Sequence, residues 1–511
     1  MQVIQFGVFM KNILELLEMN AEKFGNKTAY KDVEKALTYS ELLQKSKGVG
    51  SALKNLGTKN RPVAIYLDKG VNVLTAMFGI VYSGNFYVVI DSEMPAPRIN
   101  AIFETLKPVA VVTDNKHIET ASSLDFNGKT FIIDEIENNA VDNEFLTVVR
   151  NCQIDTDPLY ALFTSGSTGV PKGAVVSHKS VLAYSKWACD TFNINSETVF
   201  GNQTPFYFSM SVTDVFSTLR TGATLVIIPK AFFTFPIKLI EFLNDNKVNT
   251  IYWVPSAMSI VANLKLFKFA KPLYLKTVLF AGEVMPTKQL NYWINNLDSN
   301  IVYANLYGPT ETTDICTYYV VNRQFSDDEP LPIGTHCNNC DVMIVNDKNE
   351  LAQPGEEGEL FVRGSFLANG YYNNPEKTKL AFVQNPLNNA YPEMVYKTGD
   401  LVRENENGEI MYITRKDFQI KRSGYRIELG EIETAVSSLE NIDENACVFD
   451  DKADKIILFY CGRKVDDTAV RNQIASKLPS YFMPDRFVKL KQMPHNQNGK
   501  IDRKNLKNQI N

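Results

Sequence analysis

This sequence of 511 residues lacks several features that would assign it to a class at once. Its seven cysteines stand at irregular spacing, which fits reduced thiols and excludes a disulfide framework. Cys337 and Cys340 form the one close pair, and without a second pair they do not make a zinc site. The sequence also lacks an apolar run long enough to cross a bilayer, and its first residues do not read as a signal peptide. We therefore expect a cytoplasmic protein without a membrane partner.

An excess of positive charge is also missing. Lys and Arg number 53 against 58 Asp and Glu, which gives a formal net charge of −5. Such a chain has no general attraction for nucleic acid, so any binding of a polyanion depends on small local sites. The shares of hydrophobic residues, 44%, and of charged residues, 22%, are those of a globular protein.

Helical and strand-like segments alternate along most of the chain. Residues 11–25 show apolar residues at helical spacing, and Gly25 is a plausible stop. Strand-like runs at 63–67, 109–113 and 224–228 alternate with helical segments. This alternation predicts an α/β fold in which parallel-rich sheets are covered by helices.

The length of the chain calls for at least two domains. Near residue 415 the character changes to a shorter module with its own apolar run at 456–460. We predict a large N-terminal domain, residues 1–415, and a small α+β C-terminal domain, residues 416–511.

The most informative segment is the stretch 162–173, which is rich in glycine and hydroxyl groups. Its glycines let the backbone approach an anion, its hydroxyl groups can donate hydrogen bonds, and Lys172 adds a positive charge. Because Lys172 follows Pro171 and precedes Gly173, this is not a Walker loop. The composition favours a site for a triphosphate. The predicted phosphate ligands are Thr164, Ser165, Gly166, Ser167, Thr168, Gly169 and Lys172.

Six segments, in the right order, resemble the signature motifs of the adenylate-forming superfamily of acyl-CoA synthetases, luciferases and amino acid adenylation domains. The sequences of 421–433 and 498–503 are similar to those of the amino-acid-activating branch, and the length of the chain resembles that of the stand-alone D-alanine:carrier-protein ligases. The resemblance implies ATP and Mg²⁺ as cofactors. The six segments are 37–42, 162–173, 305–312, 396–401, 415–433 and 498–500.

The resemblance also implies how the nucleotide is held. Tyr307 would offer an aromatic face to adenine, with Gly308 beside it in the motif, and Asn305 an amide for the polar edge of the base. Asp400 would accept from both ribose hydroxyls, and Arg415 would reach the ribose or a phosphate.

The catalytic roles follow from the same resemblance. Thr310 can donate to the α-phosphate, and Glu311 can hold Mg²⁺. Lys500 matches the catalytic lysine that binds the carboxylate of the acid and the ribose oxygens during adenylation. Asp417 marks the hinge about which a mobile C-terminal domain would rotate, withdrawing Lys500 and presenting another face for thioester formation.

The acid-binding segment departs from the family pattern. Amino-acid-activating members carry Phe-Asp-x-Ser, whose aspartate pairs with the α-ammonium, whereas Ser209 takes that position here if Phe208 and Ser211 hold the register. A buried ammonium without its counter-charge costs about 3–5 kcal/mol. Three interpretations follow: another acid takes over, with Asp314 a better candidate than Asp214; the substrate lacks an α-ammonium; or the activity is weakened.

By the same alignment the acid pocket includes bulky side chains, which favours a small substrate. Phe208 stands where many CoA-using relatives keep a histidine, and the chain carries no carrier domain, so we expect transfer to phosphopantetheine on a separate carrier protein. The predicted pocket residues are Phe208, Ser209, Met210, Thr213, Tyr252, Leu279, Ala281, Leu306, Asp314 and Ile315.

We therefore expect an ATP-dependent ligase that makes an acyl adenylate from a small amino or carboxylic acid and passes it to a carrier-protein thiol. One alternative is an acyl-CoA synthetase that uses free CoA. Another is a weakened or non-catalytic adenylate-binding homologue, which Ser209 alone supports.

Overall fold

The computed structural model describes residues 10–164, 171–416, 419–450, 453–463, 465–495 and 501–510. Among the helices described, none combines the length and the apolarity that crossing a bilayer requires. The strands, numbered in chain order, are β1 (Thr28–Lys31), β2 (Ala36–Thr38), β3 (Pro62–Tyr66), β4 (Phe86–Ile90), β5 (Ala110–Thr113), β6 (Lys129–Ile132), β7 (Pro158–Thr164), β8 (Lys172–Ser177), β9 (Val199–Asn202), β10 (Thr224–Ile227), β11 (Thr250–Trp253), β12 (Thr277–Phe280), β13 (Val302–Tyr307), β14 (Thr317–Val320), β15 (Thr335–His336), β16 (Cys340–Val345), β17 (Gly358–Gly364), β18 (Phe382–Gln384), β19 (Met394–Glu404), β20 (Ile410–Arg415), β21 (Gln419–Arg422), β22 (Tyr425–Glu428), β23 (Ile442–Asp450), β24 (Lys455–Gly462) and β25 (Arg486–Lys489).

The α-helices connect these strands and cover the sheets. They are α1 (Leu14–Phe24), α2 (Tyr39–Ala52), α3 (Val71–Tyr82), α4 (Ala96–Leu106), α5 (Ile118–Ser123), α6 (Ile133–Ile136), α7 (Asn143–Cys152), α8 (His178–Phe192), α9 (Ser211–Thr221), α10 (Pro236–Asp245), α11 (Pro255–Asn263), α12 (Thr287–Asn296), α13 (Pro375–Ala381), α14 (Leu429–Ser437), α15 (Asp467–Lys477) and α16 (Arg503–Asn508).

Two large sheets carry the parallel strands. In the described part of the chain, one has nine strands in the order β15-β14-β13-β12-β11-β9-β10-β1-β2, and the other has six in the order β6-β5-β3-β4-β7-β8. The strands from β13 to β1 in the first sheet pair in parallel, as do those from β6 to β7 in the second. The predicted α/β class with parallel-rich sheets is thus confirmed.

Burial on both faces explains the composition of the central strands. Every residue of β3 and of β4 is buried, and the strands read as continuous apolar runs. Helix α3 is buried along almost its whole length between the sheets. Such runs are typical of parallel sheets that are covered on both faces.

The C-terminal part has a hydrophobic core of its own. Two apolar clusters are built there from residues beyond 419, whereas the main cluster of the chain ends at Ile410. Strands β23, β24 and β25 form a small sheet against α14 and α16, and β21 and β22 form a separate hairpin. A smaller C-terminal α+β domain is therefore present, while the boundary between 415 and 416 stays a prediction.

Candidate active site

The connection between β13 and the antiparallel strand β14 gathers several predicted site residues. Its residues Thr310–Thr312 form a 3₁₀ turn. The backbone N–H of Cys316 donates to the carbonyl of Tyr307 at 2.8 Å and closes the loop. The predicted residues on this connection are Gly308, Thr310, Glu311, Asp314 and Ile315.

Gly308 is required because this loop passes very close to itself. A Cβ at Gly308 would lie 2.2 Å from the carbonyl oxygen of Asp314 and 2.5 Å from the Cα of Ile315. Both are backbone atoms, which cannot move aside as a flexible side chain could. Gly308 therefore fixes the path of the loop that carries the acids.

Glu311 lies at the centre of a buried charged cluster. Its side chain is 0% exposed, and Arg426 Nη1 lies 3.0 Å from one of its oxygens and 2.9 Å from the other. Lys172 Nζ lies 3.6 Å from Oε1, and the hydroxyl of Tyr371 donates to Oε1 at 2.6 Å. We call Glu311, Lys172, Tyr371 and Arg426 the Glu311 cluster.

Charge decides the protonation of this cluster. Burial opposes the ionisation of Glu311, but the charges of Arg426 and Lys172 outweigh it and lower the pKa of the carboxyl to about 2. Burial, assisted by the charge of Arg426, lowers the pKa of Lys172 to about 8. Two cations thus face the carboxylate of Glu311, and a second carboxylate, Glu428, also acts on both of them.

Asp314 is a second buried acid, three residues further along, with different surroundings. It is 1% exposed, and its Oδ2 accepts hydrogen bonds from Tyr184 at 2.8 Å, from Thr213 at 2.9 Å and from Tyr252 at 3.2 Å. The hydroxyl of Ser209 also acts on the carboxylate and lowers its pKa. We call Asp314, Tyr184, Thr213, Tyr252 and Ser209 the Asp314 cluster.

No cation forms an ion pair with Asp314 among the residues that the structure describes. Burial raises the pKa of Asp314 to about 6, and the hydrogen bonds from the hydroxyl groups offset this only in part. A buried carboxylate without a cationic partner is costly, and a positive group brought by a ligand would stabilise its ionised form.

Asp214, the weaker candidate, is held away from this place. It is fully buried on α9, accepts a hydrogen bond from Asn202 at 2.8 Å, and burial raises its pKa to about 8. It is not among the residues that line the cavity beside Asp314. The structure therefore favours Asp314 of the two acids.

A cavity of about 100 Å³ opens beside Asp314, and we call it the first cavity. A volume of this size suits a small molecule. Six of the predicted pocket residues line it, namely Phe208, Ser209, Met210, Ala281, Asp314 and Ile315. The predicted nucleotide and catalytic residues on its wall are Thr164, Gly308, Thr310, Asp400 and Arg415.

Four predicted pocket residues lie elsewhere, so the predicted lining is corrected. Thr213 and Tyr252 are not on the cavity wall, and they act on it through their hydrogen bonds to Asp314. Leu279 is fully buried in β12 within the main core, and Leu306 lines a neighbouring cavity. The alignment of motifs does not show which side chains of a strand the core covers.

The neighbouring cavity, the second cavity, measures about 730 Å³ and contains the residues predicted to bind adenine. Asn305 and Tyr307 lie on its wall, and Lys421 Nζ lies 4.9 Å from the centre of the Tyr307 ring. The side-chain amide of Asn305 donates to the carbonyl of Pro332 at 2.8 Å. The residues that line both cavities are Gly282, Arg415, Gln419 and Lys421.

Asp400 and Arg415 meet between the two cavities. Arg415 Nη1 donates to Asp400 Oδ1 at 2.9 Å, and the hydroxyl of Tyr307 donates to Oδ2. The arginine side chain is 9% exposed and the aspartate 2%. The structure thus brings together the residues predicted for adenine, ribose and phosphate.

Thr164 ends β7 at the cavity wall, and no described residue hydrogen-bonds to its buried hydroxyl. The loop residues predicted after it lie outside the described residues, as do Lys500 and Asp417, and their roles stay predictions. These loop residues are Ser165, Gly166, Ser167, Thr168 and Gly169.

The hairpin of β21 and β22, residues 419–428, closes one side of the first cavity. Its turn residues Ser423 and Gly424 have φ values of 50° and 79°. A Cβ on Gly282 would lie 3.7 Å from the Cα of Gly424, so the backbones meet closely. The rings of Tyr425 and Phe208 are 4.7 Å apart. The C-terminal domain therefore contributes directly to the site, and Arg98 of α4 adds a buried ion pair with Glu431 at 2.9 Å.

Sequence reasoning missed four side chains as individual site residues. Lys421 and Arg426 stand within the segment 421–433, so the motif contained a signal for them. Tyr371 and Tyr184 have no local signal, because long-range contacts alone bring them to the two acids.

Comparison with known proteins gives a family match over most of the chain. The model of a family described as AMP-binding enzyme matches residues 17–372. The L-proline–(L-prolyl-carrier protein) ligase of Streptomyces coelicolor is 31% identical over 495 residues, which are 92% of this chain and 91% of that protein. Tyrocidine synthase 1 of Brevibacillus parabrevis is 30% identical over 501 residues, 97% of this chain and 45% of that protein. The chain spans between 8% and 45% of the length of four synthases that it matches.

The fold matches solved structures along nearly its whole length. The Vibrio cholerae adenylation domain AlmE, solved with glycyl-adenosine-5'-phosphate, has a TM-score of 0.83 at 23% identity and covers 100% of this chain and 99% of its own. Holo-PA1221, an NRPS protein containing adenylation and PCP domains, has a TM-score of 0.84 at 20% identity and covers 97% of this chain and 84% of its own. Likeness at these identities shows a shared fold, with a large sheet domain followed by a smaller one.

Proposed function

The chain belongs to the family of AMP-binding enzymes and is an adenylate-forming ligase, and from this premise we propose that it activates a small amino acid with ATP and transfers it to the thiol of a separate carrier protein. The observation that carries the finer proposal is the first cavity. It joins the pair of Asp400 and Arg415 at one end to the buried Asp314 at the other.

Charge at the site favours the meeting of two anions that adenylate formation requires. The carboxylate of the acid has to approach the α-phosphate of ATP, and both need neutralisation and alignment. Lys172 lies beside Glu311, and Thr310 lines the cavity as a hydroxyl donor. Lys500 is assigned to the carboxylate during this step by its motif.

Mg²⁺ in proteins is held by one or two carboxylates together with substrate phosphates. The carboxylate of Glu311, kept ionised by its surroundings, fits this role by its chemistry. When bound, Mg²⁺ would neutralise phosphate charge and favour the departure of pyrophosphate. In the described arrangement Arg426 faces both oxygens of Glu311, so metal binding there requires this contact to open.

The arrangement of the C-terminal hairpin supports the transfer half of the reaction. Arg426, Gly424 and Tyr425 contact the N-terminal domain at the first cavity. We assign this arrangement to thioester formation. The carrier protein in the name of the Streptomyces coelicolor relative supports a carrier as the acceptor.

The proposal is tested by acid-dependent ATP–pyrophosphate exchange, followed by transfer of a labelled acid to a holo-carrier protein or to CoA. We expect exchange with a small amino acid and loss of exchange in Lys500→Ala, with ATP binding retained. Transfer to the carrier supports the proposal, and transfer to CoA alone makes the chain an acyl-CoA synthetase. The absence of exchange with any acid would contradict the proposal. A cytoplasmic location stays a prediction.

A further inference from the structure

We propose that the Asp314 cluster selects an acid whose amine stands one or two carbons beyond the α-carbon, that is, a β- or γ-amino acid. The inference rests on the proposed function, since it concerns the acid of that reaction. It assigns Asp314 as the counter-charge of a distal ammonium, with Ser209 as a neutral side chain before it.

The polar side chains of the first cavity stand in a fixed order. Thr310 Oγ1 lies 3.5 Å from Ser209 Oγ, and Ser209 is one of the hydroxyl groups that act on the carboxylate of Asp314. Thr310 is the predicted partner of the α-phosphate, so the reacting carboxyl of the acid belongs at this end. Asp314 therefore lies one side chain further from the reacting carboxyl than Ser209 does.

In this order the negative charge lies further along the cavity than in family members that carry an aspartate at the position of Ser209. An α-ammonium would meet Ser209, which has no charge, whereas the carboxylate of Asp314 lies beyond it. The step from one side-chain oxygen to the next is on the order of 3 Å, and a carbon–carbon bond is about 1.5 Å. The displacement thus corresponds to one or two additional carbons between the carboxyl and the amine.

The Asp314 cluster is built to orient its carboxylate. Tyr184 and Tyr252 are both 0% exposed, and with Thr213 they surround the single oxygen Oδ2, while Tyr184 and Thr213 also share a hydrogen bond of 2.6 Å. The second oxygen is not used by these three donors. A carboxylate held in one orientation by buried partners is what the recognition of a small cation requires.

The rest of the cavity wall suits a short methylene chain. Met210, Ala281 and Ile315 line the cavity with apolar groups near Asp314. The volume of about 100 Å³ leaves little room for a branched side chain. An unbranched acid with a terminal amine combines both properties.

The inference is tested by pyrophosphate exchange with an ordered series of acids. The series is glycine, alanine, β-alanine, 4-aminobutanoate, 5-aminopentanoate and propanoate. We expect kcat/KM for β-alanine or 4-aminobutanoate to exceed the values for alanine and propanoate by about 100-fold or more. This is the size of effect expected when one partner of a buried ion pair is missing. A preference of the unmodified protein for alanine or propanoate would overturn the inference.

Matched variants separate recognition from folding. Asp314→Asn keeps the shape and removes the charge, so the preference for the amine over propanoate should disappear. Asp214→Asn removes a buried acid outside the cavity and should keep it. Ser209→Asp places a charge at the α-position and should shift the preference toward alanine. An unchanged preference in Asp314→Asn would contradict the assignment of this residue.

Failure of the proposed function gives a different result. If no acid supports exchange, the ligase assignment fails, and calorimetric binding of β-alanine and 4-aminobutanoate then decides the inference by itself. Binding that is lost in Asp314→Asn and kept in Asp214→Asn supports the amine site. The absence of binding to the unmodified protein overturns it.

Discussion

The acids of the Glu311 cluster and the Asp314 cluster lie three residues apart on one loop, yet their pKa values are shifted in opposite directions. Both carboxylates are buried. Two cations lower the pKa of Glu311 to about 2, whereas burial among hydroxyl groups raises the pKa of Asp314 to about 6. Burial alone therefore does not show which of the two acids binds a ligand. The acid for which the described chain supplies no cation is the one suited to a cationic substrate group.

The two clusters also differ in where their partners originate. Tyr184, Thr213 and Tyr252 all belong to the N-terminal domain, so the Asp314 cluster does not depend on the position of the C-terminal domain. Arg426 reaches Glu311 from 115 residues away, in the C-terminal hairpin. The charge balance at Glu311 therefore depends on the domain arrangement.

The largest expected effect is that of Glu311→Gln. It removes the fully buried carboxylate that pairs with Lys172 and Arg426, so we expect a loss of about 3–5 kcal/mol in the free energy of unfolding. Pyrophosphate exchange should fall about 1,000-fold, because the predicted metal ligand is lost as well. Glu137→Gln is the control, since that buried acid also pairs with two cations, Lys35 and Lys45, and belongs to neither cluster. Exchange at the original rate would contradict the role of Glu311.

Arg426→Ala should affect the second half of the reaction more than the first. The contact with Glu311 fastens the hairpin in the arrangement that we assign to thioester formation. We expect transfer of the activated acid to the carrier to fall at least about 10-fold, as for other truncated buried charge pairs. Pyrophosphate exchange should change much less. Arg422→Ala, in the same hairpin but paired with Asp485, should leave both steps intact. Equal losses in pyrophosphate exchange and in transfer to the carrier would contradict the assignment of this arrangement to thioester formation.

Stability should depend on pH in the manner of a carboxyl with a raised pKa. The contribution of Asp314 to the free energy of unfolding is fully present below its ordinary pKa of 3.8, and it is lost as the pH rises through about 6. Between pH 4 and pH 7, Asp314→Asn should therefore gain up to about 3 kcal/mol of stability relative to the unmodified protein. Tyr184 and Tyr252, which face Asp314, stay neutral in this range because burial raises their pKa values.

Urea unfolding of both proteins at several pH values measures this difference. Asp214 lies close enough to feel the charge of Asp314, and burial raises its own pKa to about 8. Asp214→Asn is therefore measured in parallel, and its effect should lie at higher pH. A stability difference for Asp314→Asn that is the same at pH 4 and pH 7 would contradict the raised pKa.

The smallest expected effect is that of Tyr184→Phe. It removes one of the three hydroxyl groups that contact Asp314 Oδ2. One such hydrogen bond contributes about 1 kcal/mol, so kcat/KM for the preferred amino acid should fall roughly fivefold. The value for the acid without an amine should not change. Tyr160→Phe is the control, because its hydroxyl donates instead to the carbonyl of Thr313 at 3.4 Å. Equal losses for both acids would mean that the hydroxyl group supports packing alone.

Much of the fold could be predicted because buried parallel strands have continuous apolar sequences. The runs at 63–67, 109–113 and 224–228 agree with β3, β5 and β10 to within a residue or so at each end. The helix predicted over 11–25 begins later, at Leu14, where Asn12 accepts the backbone N–H of that residue.

The candidate site could be predicted only as far as local motifs reach. The motif 305–312 located the loop of Glu311 and Asp314, but Tyr184 and Tyr371 are brought there by tertiary contacts that no local pattern records. The segment 37–42 has a structural role of its own. Thr38 and Glu41 form a capping box at the start of α2.

The central claim is that Asp314 is the counter-charge of a substrate ammonium, and a double-mutant cycle tests it most directly. The preferred amino acid and the same acid without its amine are compared in pyrophosphate exchange, each with the unmodified protein and with Asp314→Asn. We predict a coupling of about 3 kcal/mol or more between the amine and the carboxylate. A coupling near zero, with the amine accepted equally well by Asp314→Asn, would contradict the claim.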